Sequence, residues 1–489
     1  MLEKLAKQTA VYGISTILVR FLSYLLTPYY TRVFGQEAYG VVTEIYALIP
    51  LALTLLTMGM ESSYFRFAAK AEAEGGDITS AKRRLFATTW GTTSLAAALF
   101  VGVVILLRDP IACIMGEAYT AHPAYISWVA LIILFDVASA IPFARLREQG
   151  RAMTFVGLKL LGVVINLALA FGLGFAGLFD GAFGVGWVFV ANLFSSLVVW
   201  LLLLGKADCR SWRIDGVLLR RILLYSLPLL LGGIAGTANE FIDRQLIKYL
   251  VPEGAMAELG VYGAITKIAV VMMLFYQMYR LAAEPFFLSN FKKSEFKEMN
   301  AAALKYYLMA SMVIFLAIAL FRDLFALIVG RDFREGIYIL PVVLGANMLA
   351  GVWLNLSFWY KREERTSLAV VVTGCGLVVT VLAGVALIPR MGYYGAAWMR
   401  LASEAAMVAV SLWLNHRYYP TPYQWSRIAE YVGVGLAAFF AAEELRAVWS
   451  GEPLLYYAAN VLIFVAYGAY LVRRERIDLS ALARSVVKR

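Results

Sequence analysis

The sequence is poor in charged residues and in residues that bind metals. Only 16% of its 489 residues are charged, against roughly 25% in soluble domains. It contains two histidines, His122 and His416, and three widely separated cysteines. Neither a disulfide framework nor a zinc-binding spacing occurs. We therefore predict that the protein has no metal site and no cofactor.

Motifs of ATP-driven pumps and of glycosyltransferases are also missing. The segment "LLLLGKAD" has Gly205 and Lys206 but lacks the upstream glycine and the Ser or Thr of a P-loop. No Asp-x-Asp pattern occurs, and the loops between apolar segments are too short to hold a catalytic domain. A membrane-embedded glycan polymerase is therefore disfavoured, and we predict that the protein is not an enzyme.

Long apolar runs dominate what is present. The chain is 61% hydrophobic, and runs such as "LFATTWGTTSLAAALFVGVVILL" (85–107) recur along it. Each run is long enough to cross a hydrocarbon core of about 30 Å as a helix. The sequence therefore predicts an all-α integral membrane protein with fourteen spans: 9–32, 39–65, 85–107, 123–144, 152–175, 181–204, 219–248, 259–286, 304–329, 336–359, 367–388, 392–415, 428–448 and 454–472.

The basic residues predict the orientation of these spans. The net charge is +11, and most Lys and Arg residues fall in alternate loops, beginning with the N-terminal segment. Loops on the cytoplasmic side carry this excess, so both termini are predicted to be cytoplasmic. The positive charge is then an orientation signal, and we predict no nucleic-acid partner.

An internal repeat divides the chain. "GAFGVGW" (181–187) matches "GYYGAAW" (392–398), "REQGR" (147–151) matches "KREER" (361–365), and the residues around Gly40 resemble those around Gly260. The offsets are similar and cover six spans, so the repeats have the same topology, as in some transporters. We predict two pseudo-symmetric six-helix bundles, 1–210 and 211–420, followed by two extra helices and a basic amphipathic tail, 421–489.

Six charged side chains fall at mid-depth in predicted spans. An ion at the bilayer centre costs about 2.5–3.5 kcal/mol on the insertion scale, so these side chains are expected to face the protein interior or a wet cavity. Two interpretations are open: mutual pairing, as for Arg400 and Glu404 four residues apart, or binding of an anionic substrate by the surplus cations. The six are Arg20, Asp136, Lys159, Lys267, Arg400 and Glu404.

Span 8 adds the segment "LFYQMYR", in which Tyr276 and Arg280 share a helix face. These side chains suit a sugar and a phosphate, although an interfacial tyrosine and a snorkelling arginine are equally typical of membrane helices. We predict that Arg20, Lys159, Lys267, Tyr276 and Arg280 bind substrate.

The segment "GTANEFIDRQLIKYL" (236–250) ends span 7 with a cluster of charges. It begins more than 20 residues after the cytoplasmic entry near residue 219, which places it at the far membrane face. We predict that Glu240, Asp243 and Arg244 form an outer gate or a bridge between the halves, with Glu44 as a partner for Arg244. Asp136, Glu404 and Glu44 are candidates for coupling transport to a proton or sodium gradient, with Arg400 in the same network.

"IDRQLIKYL…ELGVYGAITKIA" (242–269) resembles a signature of polysaccharide-unit flippases of the O-antigen (Wzx-like) type. These belong to the multidrug/oligosaccharidyl-lipid/polysaccharide exporter (MOP) superfamily. Two further segments also fit this resemblance: "YYTRVFGQEAYGVV" (29–42) and "GYYGAAWMRLASE" (392–404).

The resemblance implies a V-shaped fold like that of the multidrug and toxin extrusion (MATE) transporters, with a cationic vestibule. It also implies transfer of an undecaprenyl-pyrophosphate-linked oligosaccharide from the inner to the outer leaflet of the bacterial cytoplasmic membrane, for polysaccharide or lipopolysaccharide synthesis. The implied partners are this lipid-linked glycan, membrane lipid and polysaccharide-assembly proteins. A multidrug exporter and a lipid II flippase remain alternatives.

Overall fold

The computed structural model describes residues 17–19, 21–75, 77–181, 183–205, 213–365, 367–449 and 451–476, without the side chains at 231–233, 235, 236, 238–240 and 288. Within these ranges the chain forms helices and no strand, so the all-α prediction is confirmed. The helices, as the structure bounds them, are α1 (Leu26–Val33), α2 (Gln36–Thr57), α3 (Met60–Glu74), α4 (Ile78–Leu106), α5 (Arg108–Met115), α6 (Glu117–Thr120), α7 (Ala124–Glu148), α8 (Ala152–Phe175), α9 (Gly186–Leu204), α10 (Gly216–Leu250), α11 (Ala255–Ile268), α12 (Val270–Asn290), α13 (Phe296–Ala319), α14 (Arg322–Ala326), α15 (Leu340–Leu356), α16 (Phe358–Arg362), α17 (Ser367–Tyr418), α18 (Trp425–Val448) and α19 (Pro453–Glu475). Two 3₁₀ segments cover Leu178–Asp180 and Arg331–Ile339.

Many of these helices suit a membrane. Among the described residues, nine helices are long and apolar enough to cross one, or ten if a bent pair counts as one span. In a bilayer core only helices and closed barrels satisfy every backbone hydrogen bond. These segments cover eleven of the fourteen predicted spans, because α17 alone contains two; the count of fourteen stays a prediction.

Span 8, predicted as one continuous helix, is broken. Helices α11 and α12 meet at Ala269 with a bend of 51°. The break contains no proline. The Ala269 carbonyl oxygen accepts a hydrogen bond of 3.2 Å from the Met272 N–H, in a tighter turn, and one of 3.3 Å from the Asn347 side chain. A side chain that inserts at the backbone ladder of a helix is a recognised cause of a kink.

The predicted boundary between spans 11 and 12 corresponds to a kink in α17. Gly392 has φ 55° and ψ −132°, outside the helical region, and a residue with a Cβ would be strained there. Pro389 precedes the kink and removes a backbone donor. Two helices therefore meet within Ser367–Tyr418, as the sequence predicted.

The contacts group the chain into two compact units, residues 1–263 and 264–489. In the first, α7 packs on α4 and α9, and α10 packs on α2. In the second, α15 packs on α17, and α13 packs on α15 and α18. Helix α10 thus belongs to the first unit, and the division near residue 210 that the repeat suggested stays a prediction.

Two glycines of the repeat meet in the first unit. Helices α2 and α11 approach so closely that a Cβ on Gly40 would overlap the carbonyl oxygen of Met256. A Cβ on Gly260 would overlap the carbonyl oxygen of Gln36 and lie 3.1 Å from the Gly40 nitrogen. Small residues allow this kind of close backbone contact between membrane helices. The matched glycines therefore form the two sides of one helix crossing.

Substitution at this crossing is expected to destabilise the first unit. Gly260→Ala should lower the free energy of unfolding by about 1–3 kcal/mol, because the obstructing atoms are backbone and cannot rotate away. Gly157→Ala is the matched control, since a Cβ on this α8 glycine meets nothing within 4 Å. Reversible unfolding in mixed micelles measures both variants, and equal stabilities would contradict the crossing.

Candidate functional site

The first unit contains a cavity of about 430 Å³. It is lined by side chains from α2, α3, α7, α8 and α9, so it is enclosed by the helices that form the core of this unit. Its polar lining consists of Glu61, Asp136, Ser139, Arg147, Lys159, Asn192, Ser195 and Ser196. Polar groups that converge on one cavity are a usual feature of a small-molecule site, and this cavity has about as many polar as apolar lining residues.

Lys159 and Asp136 face this cavity, as the sequence analysis expected for mid-span charges. The Lys159 ammonium lies 4.2 Å from the centre of the Phe143 ring. Lys159 forms no ion pair within the described ranges, although Asp136 and Glu61 lie close enough to attract its charge, and Asp136 is hydrogen-bonded by Ser196. Lys159 is therefore a cation held by an aromatic face and accessible from the cavity.

A second charge pair in the cavity was missed by the sequence analysis. Arg147 Nη2 lies 2.6 Å from Glu61 Oε2 and links α7 to α3. Arg147 belongs to the repeated "REQGR" segment (147–151), which was used as a repeat marker and not as a candidate site. The charges described in the cavity balance, two positive and two negative. The predicted surplus of cations is thus not found among these residues.

Glu44 and Lys248 form a buried ion pair in the same unit. Lys248 Nζ lies 2.6 Å from Glu44 Oε1, and their side chains are 8% and 1% exposed. The Tyr119 hydroxyl donates to Glu44 Oε2 at 2.7 Å, and the ammonium lies 5.1 Å from the Tyr119 ring centre. The pair joins α2, α6 and α10. The expected partnership of Glu44 with Arg244 is wrong, because Lys248, one turn further along α10, occupies the carboxylate.

Asp243 and Arg244 lie one turn before Lys248. Arg244 Nη1 is 3.1 Å from Asp243 Oδ1, and the Tyr262 hydroxyl donates to Asp243 Oδ2 at 2.9 Å. Tyr262 comes from α11, so the carboxylate ties α10 to the helix that crosses α2. These bonds join two helices of the same predicted half (211–420), so the bridge between the halves remains untested for this charged segment. Its role as a gate stays a prediction, and the Glu240 side chain lies outside the described residues.

In the second unit, Arg400 lies beside the break between α11 and α12. Its Nη2 donates to Asn347 Oδ1 at 3.2 Å, and Asn347 donates to the Ala269 carbonyl. Lys267 lies in the last turn before the break and interacts with other groups, as does Glu404. The pairing of Arg400 with Glu404 stays a prediction. The structure places Arg400 in a chain of hydrogen bonds that ends on the Ala269 carbonyl oxygen, which also accepts from the Met272 N–H.

Tyr276 and Arg280 lie on α12, beyond the break. Arg280 Nε is 3.3 Å from Glu284 Oε1, which also accepts a bond of 3.2 Å from Lys361. Two cations thus share one carboxylate, and Arg280 is about half exposed. Tyr276 lies close enough to Arg280 and Glu404 to interact with both. Substrate binding by these residues stays a prediction, as it does for Arg20, which lies outside the described residues.

The fold defined by these helices is that of a known class of membrane transporter. The structure of the lipid II flippase MurJ, inward closed conformation, is similar with a TM-score of 0.73 and 13% identity, covering 96% of this chain and 100% of that chain. An inward-facing multidrug resistance MATE family transporter of the MOP superfamily is similar with a TM-score of 0.69 and 15% identity. The match covers 84% of this chain and 98% of that chain. The MATE multidrug transporter DinF-BH is similar with a TM-score of 0.61 and 15% identity, covering 85% of this chain and 95% of that chain. Identities this low show the fold alone.

Sequence comparison supplies the family. Residues 5–291 match the polysaccharide biosynthesis protein family, and the chain belongs to it. A search of the curated proteins found no significant match. This match confirms the predicted polysaccharide-related family, and the chain is a multi-pass membrane protein. The structural relatives named above are transporters and a flippase, in agreement with the prediction that this protein is not an enzyme.

The buried Glu44–Lys248 pair yields a test of its contribution to stability. Lys248→Met should lower the free energy of unfolding by about 3–5 kcal/mol, because it leaves a buried carboxylate without its cation. The double variant Glu44→Gln/Lys248→Met should lose less than the sum of the two single losses. Unfolding in mixed micelles measures all three. Lys70→Met at the exposed Lys70–Glu74 pair is the control; a similar loss there, or strict additivity, would contradict the assignment.

Proposed function

We propose that the protein moves a polyprenyl-pyrophosphate-linked oligosaccharide from the cytoplasmic to the outer leaflet, by alternating access. The observation that carries the proposal is the Lys159 ammonium, which faces a 430 Å³ cavity and forms no direct ion pair with a carboxylate among the described residues. Membership of the polysaccharide biosynthesis protein family supports a glycan substrate. The likeness to MurJ supports a lipid-linked one.

The lining of the cavity suits both parts of such a headgroup. A lysine ammonium binds phosphate as a point charge. Lys159 is available for this because it contacts the Phe143 ring and forms no direct ion pair with the nearby Asp136 or Glu61. Arg147 could add a second contact by exchanging Glu61 for phosphate. Asn192 and Ser195 also line the cavity. They donate to the Tyr46 hydroxyl and the Gly162 carbonyl, and their side-chain oxygens can accept from sugar hydroxyls.

Asp136 is the proposed coupling residue. It lies in the same cavity as Lys159, held by Ser196. A carboxylate there can bind a proton or sodium ion when no phosphate occupies the lysine, and an intramembrane acid is typical of a relay. We further propose a bacterial cytoplasmic membrane location, with both termini cytoplasmic, on the basis of the loop charges. Polysaccharide-assembly proteins are the expected partners.

Multidrug export is the second candidate function. The described charges of the cavity balance, so the cavity does not select against cations as a purely basic one would. Two of the structural relatives reported above are multidrug transporters. A carboxylate such as Asp136 could attract a cationic drug, and the two functions therefore predict opposite effects of removing Lys159.

Lys159→Met is expected to slow flipping at least about tenfold, because one charge-assisted contact contributes roughly 1.5–3 kcal/mol. The measurement uses the purified protein in proteoliposomes that contain a fluorescent polyprenyl-pyrophosphate oligosaccharide. Its arrival in the opposite leaflet is followed by quenching from outside.

Lys293→Met, at an exposed lysine between α12 and α13, controls for the loss of a positive charge. A cationic dye tested in the same vesicles separates the two functions. Unchanged glycolipid flipping with faster dye transport in Lys159→Met would contradict the flippase and favour the exporter.

A further inference from the structure

A second cavity, of about 450 Å³, lies in the second unit, residues 264–489. It is formed where the start of α14 and the 3₁₀ segment Arg331–Ile339 meet the end of α18 and the start of α19. We call it the α18–α19 pocket. Its volume falls within the roughly 300–1,000 Å³ of typical small-molecule sites, and none of its lining residues belongs to the site described above.

Two ion pairs cross the α18–α19 pocket. Arg322 Nη2 lies 2.7 Å from Glu443 Oε2, and Arg446 Nη2 lies 2.5 Å from Asp323 Oδ1. Each pair joins α14 to α18, so the four side chains are fixed in place before any ligand binds. Their charges cancel. A phosphate would meet two carboxylates here, and a cation would meet two guanidinium groups, so the pocket favours a neutral ligand.

Four polar atoms in the α18–α19 pocket are buried and lack a hydrogen-bond partner among the described residues. They are Arg322 Nε, Arg446 Nη1, Glu443 Oε1 and the Tyr456 hydroxyl. Arg322 is 3% exposed and Tyr456 is 5% exposed. Buried polar groups in folded proteins nearly always have a partner, so four without one around a single cavity indicate a polar guest that supplies their partners.

The unsatisfied atoms define the chemistry of that guest. Two are N–H donors, one is a carboxylate acceptor, and the Tyr456 hydroxyl can donate or accept. A guest that satisfies all of them must offer both acceptors and donors without net charge. Sugar hydroxyl groups do both. Water shares this property, but water alone leaves the remaining walls of the pocket without an apolar partner.

Those walls are aromatic. Tyr338, Trp449 and Tyr457 line the α18–α19 pocket together with Tyr456, and Tyr338 is 53% exposed. Aromatic rings present a large apolar face that stacks on the C–H face of a pyranose ring, and Tyr and Trp also keep a polar tip. A pocket with aromatic walls and mixed, charge-balanced hydrogen-bonding groups matches a carbohydrate in both respects.

We infer that the α18–α19 pocket binds a neutral carbohydrate of about disaccharide size. The loop charges place the turn between α18 and α19 on the outer side of the membrane. There the pocket would receive the glycan part of a substrate after its transfer, and this use of the site rests on the proposed function. The binding itself depends only on the chemistry of the pocket.

The test measures binding of lactose and of N,N′-diacetylchitobiose to the full chain in nanodiscs, by saturation-transfer NMR and by tryptophan fluorescence. At least one disaccharide should bind saturably. Tyr456→Phe should weaken this binding about three- to tenfold, the effect of losing one hydrogen bond. Trp449→Ala should abolish it, because it removes an aromatic wall. Tyr470→Phe makes the same change on the same helix, at a hydroxyl that bonds Glu430, and should leave binding unchanged.

Thermal unfolding of each variant separates lost binding from lost folding. Lys159→Met, in the first unit, should bind the disaccharide normally even if it cannot flip a glycolipid, so failure of the pocket and failure of the flippase are distinguishable. Absence of saturable binding of either disaccharide, equal binding by Tyr456→Phe, or displacement by inorganic pyrophosphate would overturn the inference. In the last case the pocket would be an anion site.

Discussion

The structure depends on one constraint: polar groups inside the hydrocarbon region of a membrane must find their partners within the protein. For the backbone, helices supply those partners, and the described chain is helical throughout its long apolar segments. Where a helix breaks, as at Ala269, a side chain adds a hydrogen bond to a carbonyl that also keeps a backbone donor. For charged side chains, the constraint produces buried pairs such as Glu44 with Lys248. Lys159 departs from this pattern, which is why its cavity carries the functional proposal.

The same constraint explains where the close contacts lie. Membrane helices gain little from burying apolar surface against one another, so they associate through close backbone approach and polar contacts. Gly40 and Gly260 provide the first kind at the crossing of α2 and α11. Asp243 and Tyr262 provide the second between α10 and α11. Together these contacts fix the charged end of α10 against α2 and α11, and they make this part of the first unit rigid.

Charge balance separates the two cavities. In the first unit, the pairing of Glu61 with Arg147 leaves an accessible lysine opposite a carboxylate held by serine. In the second unit, both carboxylates of the α18–α19 pocket are paired with arginines, and only uncharged hydrogen-bonding capacity remains. The first arrangement suits the phosphate part of a glycolipid and the second suits its sugars. One chain thus carries two cavities with different chemistry.

The sequence by itself determined the class of the protein, because apolar length and loop charge act locally along the chain. It predicted an all-α membrane fold, the MOP superfamily and the kink near Gly392. It also selected Lys159 and Asp136 as candidates, because a charged residue within an apolar run can be recognised from the sequence without knowing what it contacts. Only the tertiary structure decided which charged side chains form ion pairs. Lys248 forms the ion pair with Glu44, although Arg244 lies only one turn away on the same helix. Arg147 lines a cavity, although the sequence analysis treated its repeated segment (147–151) only as a repeat marker. Such choices depend on how distant helices cross, and on angstrom-scale distances between side chains that lie up to about 200 positions apart in the sequence.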